Sequence, residues 1–104
     1  MAIVRTSEVY IIDGKVPEFM AELHNLVATF PATYDGLEHH EVLVDRAEPR
    51  RLIYRSRWRD EAALVAFAGP DWETEPVRFP GEEDLLVDGM HLRHFAVDPG
   101  IEPV

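Results

Sequence analysis

The chain has 104 residues, enough for one core, and folding buries roughly two-thirds of the surface such a chain exposes when unfolded. Twenty acidic residues against ten basic ones give a net charge of -10, which disfavours a phosphate-backbone partner and so excludes nucleic acid as the expected ligand. There is no cysteine, which removes disulfides, thiolate metal ligands and thiol nucleophiles, and no apolar stretch approaches the ~18 residues of a membrane span.

Residues 2 to 12, AIVRTSEVYII, read as a first strand rich in β-branched and aromatic side chains. Asp13-Gly14 breaks it, and Pro17 suits the first position of a helix, where its missing N–H would be unpaired anyway. Phe19, Leu23, Leu26, Val27 and Phe30 then recur at helical spacing, and Pro31 stops the helix. After the turn at Tyr34-Asp35-Gly36 comes a second strand, 37 to 45, and RAEPR forms a hairpin loop.

The third strand, LIYRSRWR from 52 to 59, alternates in an unusual way. One face carries Leu52, Tyr54, Ser56 and Trp58, and the other carries Ile53, Arg55, Arg57 and Arg59. If the aromatic face meets the helices, the arginines turn to the opposite side, where Glu8, Glu38, Glu41 and Asp45 are their expected partners. Asp60 is a good N-cap for the short helix EAALVAFA, which Gly69-Pro70 ends. Between 71 and 89, Pro76, Pro80 and Gly81 permit only short helical pieces, with EEDLL a candidate. A fourth strand spans 90 to 98, and the tail 98–104 is either loose or laid across a partner.

The order β-α-β-β-α-β predicts a single α+β domain over 1–104 of ferredoxin-like topology, a four-stranded antiparallel sheet with both helices on one face. The other face is left bare, so a homodimer stacked through it is expected. The N-terminus shows no basic segment followed by an apolar run, so no signal peptide is read, and a soluble cytoplasmic protein is expected.

Four ordered pieces, VYIIDGKVPEFMAEL, YDGLEHHEVL, YRSRWRDEAALVAF and HLRHFAV, resemble the antibiotic biosynthesis monooxygenase superfamily of dimeric α+β barrel proteins. The resemblance implies two sheets packed into a barrel and, in each subunit, a pocket between sheet and helices. Polyketide oxygenases of that superfamily carry Asn and Trp four residues apart on the third strand; here Trp58 matches the Trp and Tyr54 stands in the Asn position. An Arg after the second helix of some of these enzymes is matched by Arg78. Haem-degrading relatives use an Asn on the first strand, where this chain has Arg5, Thr6 and Ser7. They also use a Trp in the second helix, where it has Phe67, and the His that follows is missing.

The leading expectation is a monooxygenase without metal or other cofactor, acting on a small planar phenolic, quinol or polyketide-like molecule. Tyr54 and Trp58 would line its pocket, with His94 or His40 as base, and Arg78, Trp72 and Phe67 as substrate contacts. Cofactor-free oxygenation needs the substrate to become an electron-rich anion shielded from water. Each residue also has a plainer role. Trp58 would seal the core edge with its indole N–H bonded, Tyr54 would be an ordinary half-buried strand residue, and Trp72 would plug its loop onto the core. His39 and His40 face opposite ways, as do His91 and His94, so neither pair forms a metal site along its own strand. The competing readings are a non-catalytic homodimer that binds a small ligand or supports another protein, and an isomerase or cyclase. A closed cleft of roughly 300 Å3 beside Trp58, reached by an imidazole, is the expected mark of an enzyme.

Overall fold

The computed structural model describes residues 1–101. Four strands, β1 (Ile3–Tyr10), β2 (Leu37–Val44), β3 (Arg51–Trp58) and β4 (His91–Ala96), form one antiparallel sheet in the order β2-β3-β1-β4. Helices α1 (Val16–Val27) and α3 (Glu61–Ala68) are the main helical elements, and the ferredoxin-like α+β topology expected from the element order is the one observed.

Local chemistry explains most boundaries. Pro17 sits in the first turn of α1. The Asp60 carboxylate accepts from the Ala63 amide at 2.9 Å and so caps α3, and Gly69 ends it with φ 89°, a conformation that favours glycine. Pro31 acts differently from the expectation. Helix α1 already ends at Val27, and Pro31 lies in the first turn of a separate short helix, α2 (Phe30–Thr33), where a missing N–H is harmless. The candidate helix in EEDLL is a single 3-10 turn, Glu82–Leu85. The tail expectation falls partly outside the described residues; within them, Asp98 Oδ1 accepts from the Gly100 amide at 2.7 Å.

The core lies between one face of the sheet and the helices. Val9 and Ile11 from β1 and its end, Leu52, Tyr54 and Trp58 from β3, Phe19 and Leu23 from α1, and Leu64 and Phe67 from α3 are all buried there. A bulge in β2 shifts the pairing between Leu37, opposite Trp58, and His39, opposite Arg57. That extra residue lets both Leu37 and the later even-numbered His40 and Val42 lie on the helix side. The loop from 71 to 90 folds back over the core. Phe79 meets Phe19 edge-on at 5.4 Å, Ile12 N donates to Leu85 O at 2.9 Å and Val87 N to Tyr10 O at 2.8 Å.

The opposite face of the sheet has no helix on it. There Arg57 meets Glu38 at 3.1 Å, Arg55 meets Glu41 at 3.8 Å, Arg51 meets Asp45 at 3.6 Å and Arg93 meets Glu8 at 3.9 Å. The arginines of the third strand therefore turn away from the helices and find carboxylates on β2 and the loop after it, whereas Glu8, expected among their partners, pairs with Arg93 of β4. Arg59, past the end of β3, pairs with Asp35 at 3.3 Å instead. Among the described residues no helix is long and apolar enough to cross a membrane.

Candidate functional site

Strand register places the polar side chains of the covered face in rows. His40 on β2, Ser56 on β3, Arg5 on β1 and His94 on β4 stand directly across from one another. Tyr54 and Ser7 form the next row. Because β2 and β4 are the two edges, His40 and His94 are about 14 Å apart at ordinary strand spacing. They cannot act on the same bond.

Arg5 is the most unusual member. It is 2% exposed, yet among the described residues no carboxylate comes within salt-bridge distance of its guanidinium. Instead Nη1 donates to the Trp72 carbonyl at 2.7 Å and Nη2 to the Glu75 carbonyl at 3.0 Å, which ties the 71–90 loop to the sheet. Nη1 also lies 3.3 Å from His94 Nε2. Burial lowers the guanidinium pKa to about 10, which still leaves it charged at neutral pH. Burial first, and then the Arg5 charge, push the His94 imidazole down, so the ring is neutral and its Nε2 accepts from Arg5.

Tyr54 and His40 form a second unit. The phenol oxygen lies 2.7 Å from His40 Nδ1. Burial raises the Tyr54 pKa, and burial followed by the neighbouring His39 charge lowers that of His40. A protonated phenol therefore donates to a neutral imidazole. The phenol's donor and the imidazole's Nδ1 acceptor satisfy each other.

A narrow cavity of about 20 Å3, room for a single water, opens at the middle of this face. Phe19, Leu23, Val27, Phe30, Leu52 and Phe67 supply apolar wall. Its polar wall is Arg5 and Ser7 from β1, Tyr54 from β3, and Glu82 from the 71–90 loop. Glu82 is 1% exposed, and its Oε2 has no hydrogen-bond partner among the described residues. Burial pushes its carboxyl up to about 7, against the pull of the Phe79 amide and the Arg78 charge, with Glu83 reinforcing the rise. A carboxyl poised there is an effective proton acceptor at neutral pH.

The cavity differs from the cleft expected beside Trp58. It is far smaller than roughly 300 Å3, it does not touch Trp58, and no imidazole lines it. Trp58 is fully buried, stacks on Phe67 at 4.5 Å and donates from Nε1 to Ser56 Oγ at 2.9 Å, so it seals the core edge. His94 stands behind Arg5 rather than in the cavity, and Trp72 packs edge-on against it at 4.8 Å as a plug. Arg78 is half exposed and sits 3.9 Å from Glu83, away from the cavity wall. Of the catalytic and substrate-contact residues expected from the sequence, Tyr54 and Phe67 line the cavity.

Arg5, Ser7 and Glu82 are not among the site residues expected from the sequence. A signal for the first two was present: Ile3, Arg5, Ser7, Val9 and Ile11 share one parity, so a cation and a hydroxyl stood inside an apolar stripe. Glu82 gave no such signal, because no periodicity runs through its Pro- and Gly-broken loop. Among the described residues, no cluster of three or more His, Asp or Glu side chains has metal-holding geometry.

The fold is shared with proteins of known structure. A conserved protein from Methanosarcina mazei Go1 superposes with a TM-score of 0.75 at 22% identity, covering 91% of both chains. A Shewanella oneidensis protein gives 0.72 at 22% identity, over 90% of this chain and 88% of its own. A Caulobacter crescentus CB15 protein, provisionally named an antibiotic biosynthesis monooxygenase, gives 0.76 at 17% identity over 93% and 91%. At these identities the likeness is one of fold. No curated protein matches the chain. The sequence model of one family matches residues 2–71, from β1 through α3, and the chain accordingly belongs to the antibiotic biosynthesis monooxygenase family.

Proposed function

We propose that this protein is a homodimeric, cofactor-independent monooxygenase acting on a small planar phenol or quinol. The reaction class is the conversion of an activated CH2 or ring carbon by O2, with one oxygen atom entering the product and the other leaving as water. The substrate supplies the electrons, so the protein must make and hold its anion away from solvent.

The observation that carries this reading is Arg5. A buried guanidinium whose partners are two carbonyls rather than a carboxylate is an anion site waiting for charge. It lies in a wall otherwise built of aromatic and aliphatic side chains, which suits a flat ring bearing an oxyanion. Admission of such a ring requires the 71–90 loop to lift. Arg5 holds that loop by two hydrogen bonds, and an arriving oxyanion competes for the same donors, so binding and opening are coupled.

The second copy would cover the helix-free face of the sheet. Leu43 and Phe95 are exposed on its two edge strands, at 43% and 51%, beside the ion pairs of β3. A cysteine-free chain suits the reducing cytoplasm, where we place it.

One observation favours a non-catalytic ligand-binding dimer, namely the near-solid packing around Trp58 and the small cavity. Oxygen uptake separates the two. A panel of hydroquinones and anthrones is expected to yield uptake with at least one member, abolished by Arg5→Met; no uptake across the panel overturns the enzyme. Sedimentation at micromolar concentration is expected to show a dimer, and a monomer there removes the barrel.

A further inference from the structure

We infer that Glu82 is the proton acceptor of this cleft, taking the hydroxyl proton of a phenol or enol whose oxygen is seated beside Arg5. The inference rests on the reading of the cleft as a substrate site and assigns the chemistry within it. In the step, the substrate O–H bond breaks and a new O–H bond forms at Glu82 Oε2. The electron pair stays on the substrate oxygen, and no electron changes hands. The charge moves from the carboxylate to an oxyanion adjacent to the guanidinium.

Three features of the structure converge on this. Glu82 Oε2 is buried without a hydrogen-bond partner among the described residues, and such an oxygen needs an explanation, because an unpaired buried carboxylate is costly. It lines the same cavity as Arg5, whose charge no described carboxylate neutralises. The cavity between them has room for one water, the volume in which a hydroxyl group would lie. The surrounding charges agree with that role. Arg5 and Ser7 face the cavity from β1 and Tyr54 from β3, while Arg78 and Glu83 flank Glu82 on its own loop. The cavity-lining residues of α1 are apolar. Tyr54 does not compete for the proton, because its own is held and directed to His40.

The imidazoles are poorly placed for the same task. His94 Nε2 is engaged by Arg5 and His40 Nδ1 by Tyr54, and neither ring lines the cavity. Glu82 is the carboxylate among the residues lining the cavity, and its Oε2 is a free acceptor.

The test uses the full chain and 3-nitrophenol, whose phenolate is coloured, buffered above pH 7 but below the phenol's own pKa. The wild type is expected to develop the phenolate band on binding while releasing no proton to the buffer, because Glu82 retains it. Glu82→Gln is expected to bind the neutral phenol, or to bind the phenolate only with a proton shed to the buffer. With a turnover substrate, the same variant should lose at least about 100-fold in kcat/KM, and Glu82→Asp should recover part of it. The inference is overturned if wild type binds the neutral phenol, if its phenolate forms with a full proton released, or if Glu82→Gln behaves as wild type. Should the variant fail to fold, proton release from the wild type alone decides. Phenolate retention without oxygen uptake on any substrate would refute the oxygenase and leave Glu82 in its role. Binding without ionisation would do the reverse, and absence of binding would end both.

Discussion

Strand β3 presents two faces built from the same eight residues, and they treat polar groups in opposite ways. On the face beneath the helices, Trp58 and Tyr54 each direct their polar atom to a partner, at 2.9 Å to Ser56 and 2.7 Å to His40. On the helix-free face, Arg55 and Arg57 reach carboxylates across β2 while remaining partly in water. Nothing on the second face needs those pairs, because solvent would serve the same charges. Everything on the first face does, because a polar group under the helices has no other recourse. The departures on the covered face, Arg5 and Glu82, therefore carry information that the solvated ion pairs of the open face do not.

The sharpest way to test that contrast is to open the covered face. Trp58→Ala removes a fully buried ring stacked on Phe67 and leaves Ser56 Oγ without its donor. We expect a loss of about 3–5 kcal/mol in chemical denaturation. A loss below about 1 kcal/mol would show that the core around Trp58 is far looser than the packing indicates.

Glu82 gives the next largest effect, and its sign is diagnostic. Its folded pKa, raised to about 7, exceeds the 4.5 of an ordinary glutamate. Below that ordinary value the group is protonated in both states and costs nothing. As pH rises from 4.5 through about 7, the unfolded chain ionises first and stability falls, by about 3 kcal/mol once both states are ionised. The measurement is the difference between wild type and Glu82→Gln in denaturant titrations from pH 4 to pH 8. The variant should gain on the wild type across that window, and a flat difference would mean that Glu82 is better solvated than its 1% exposure implies.

Gly36→Ala tests the covered side from the edge of the layer. A Cβ at Gly36 would stand 2.2 Å from that of Ala63, so the turn before β2 and helix α3 must separate. About 1–3 kcal/mol is expected to be lost. Gly36→Ala combined with Ala63→Gly should recover most of it, and failure to do so would place the cost in the backbone instead of the contact.

How much of this was legible follows the same division between faces. The alternation in LIYRSRWR sorted β3 into an aromatic and a basic face, and Asp60 and Gly69 marked both ends of α3, because each signal is local. The place of Tyr54 on the aromatic face is legible for that reason. Its partner His40 required the β2 register, which a bulge between Leu37 and His39 shifts by a residue that no pattern announces. Glu82 required more still, since a loop tied by long-range bonds to Arg5, Tyr10 and Ile12 delivers it to the cavity. Arg5 stood in plain view at an inward parity, but a lone Arg in a short strand carries meaning only when its missing carboxylate is known.

The smallest expected effect belongs to the open face. Arg57 lies 3.1 Å from Glu38 with both side chains partly in solvent, a geometry that in isolation contributes about 0–1 kcal/mol. In a monomer, Arg57→Ala should therefore be nearly neutral and insensitive to protein concentration. If a second copy covers this face, the same pair is desolvated, and removing Arg57 leaves Glu38 without its cation inside the contact, which raises the penalty several-fold. The dimer dissociation constant of Arg57→Ala, followed by dilution, separates the cases, and the double variant Arg57→Ala with Glu38→Gln should recover part of any loss. A face that stays wet would leave dimerisation unchanged in both, and the covering of this sheet by a second copy would then have to be sought at Leu43 and Phe95 along its edges.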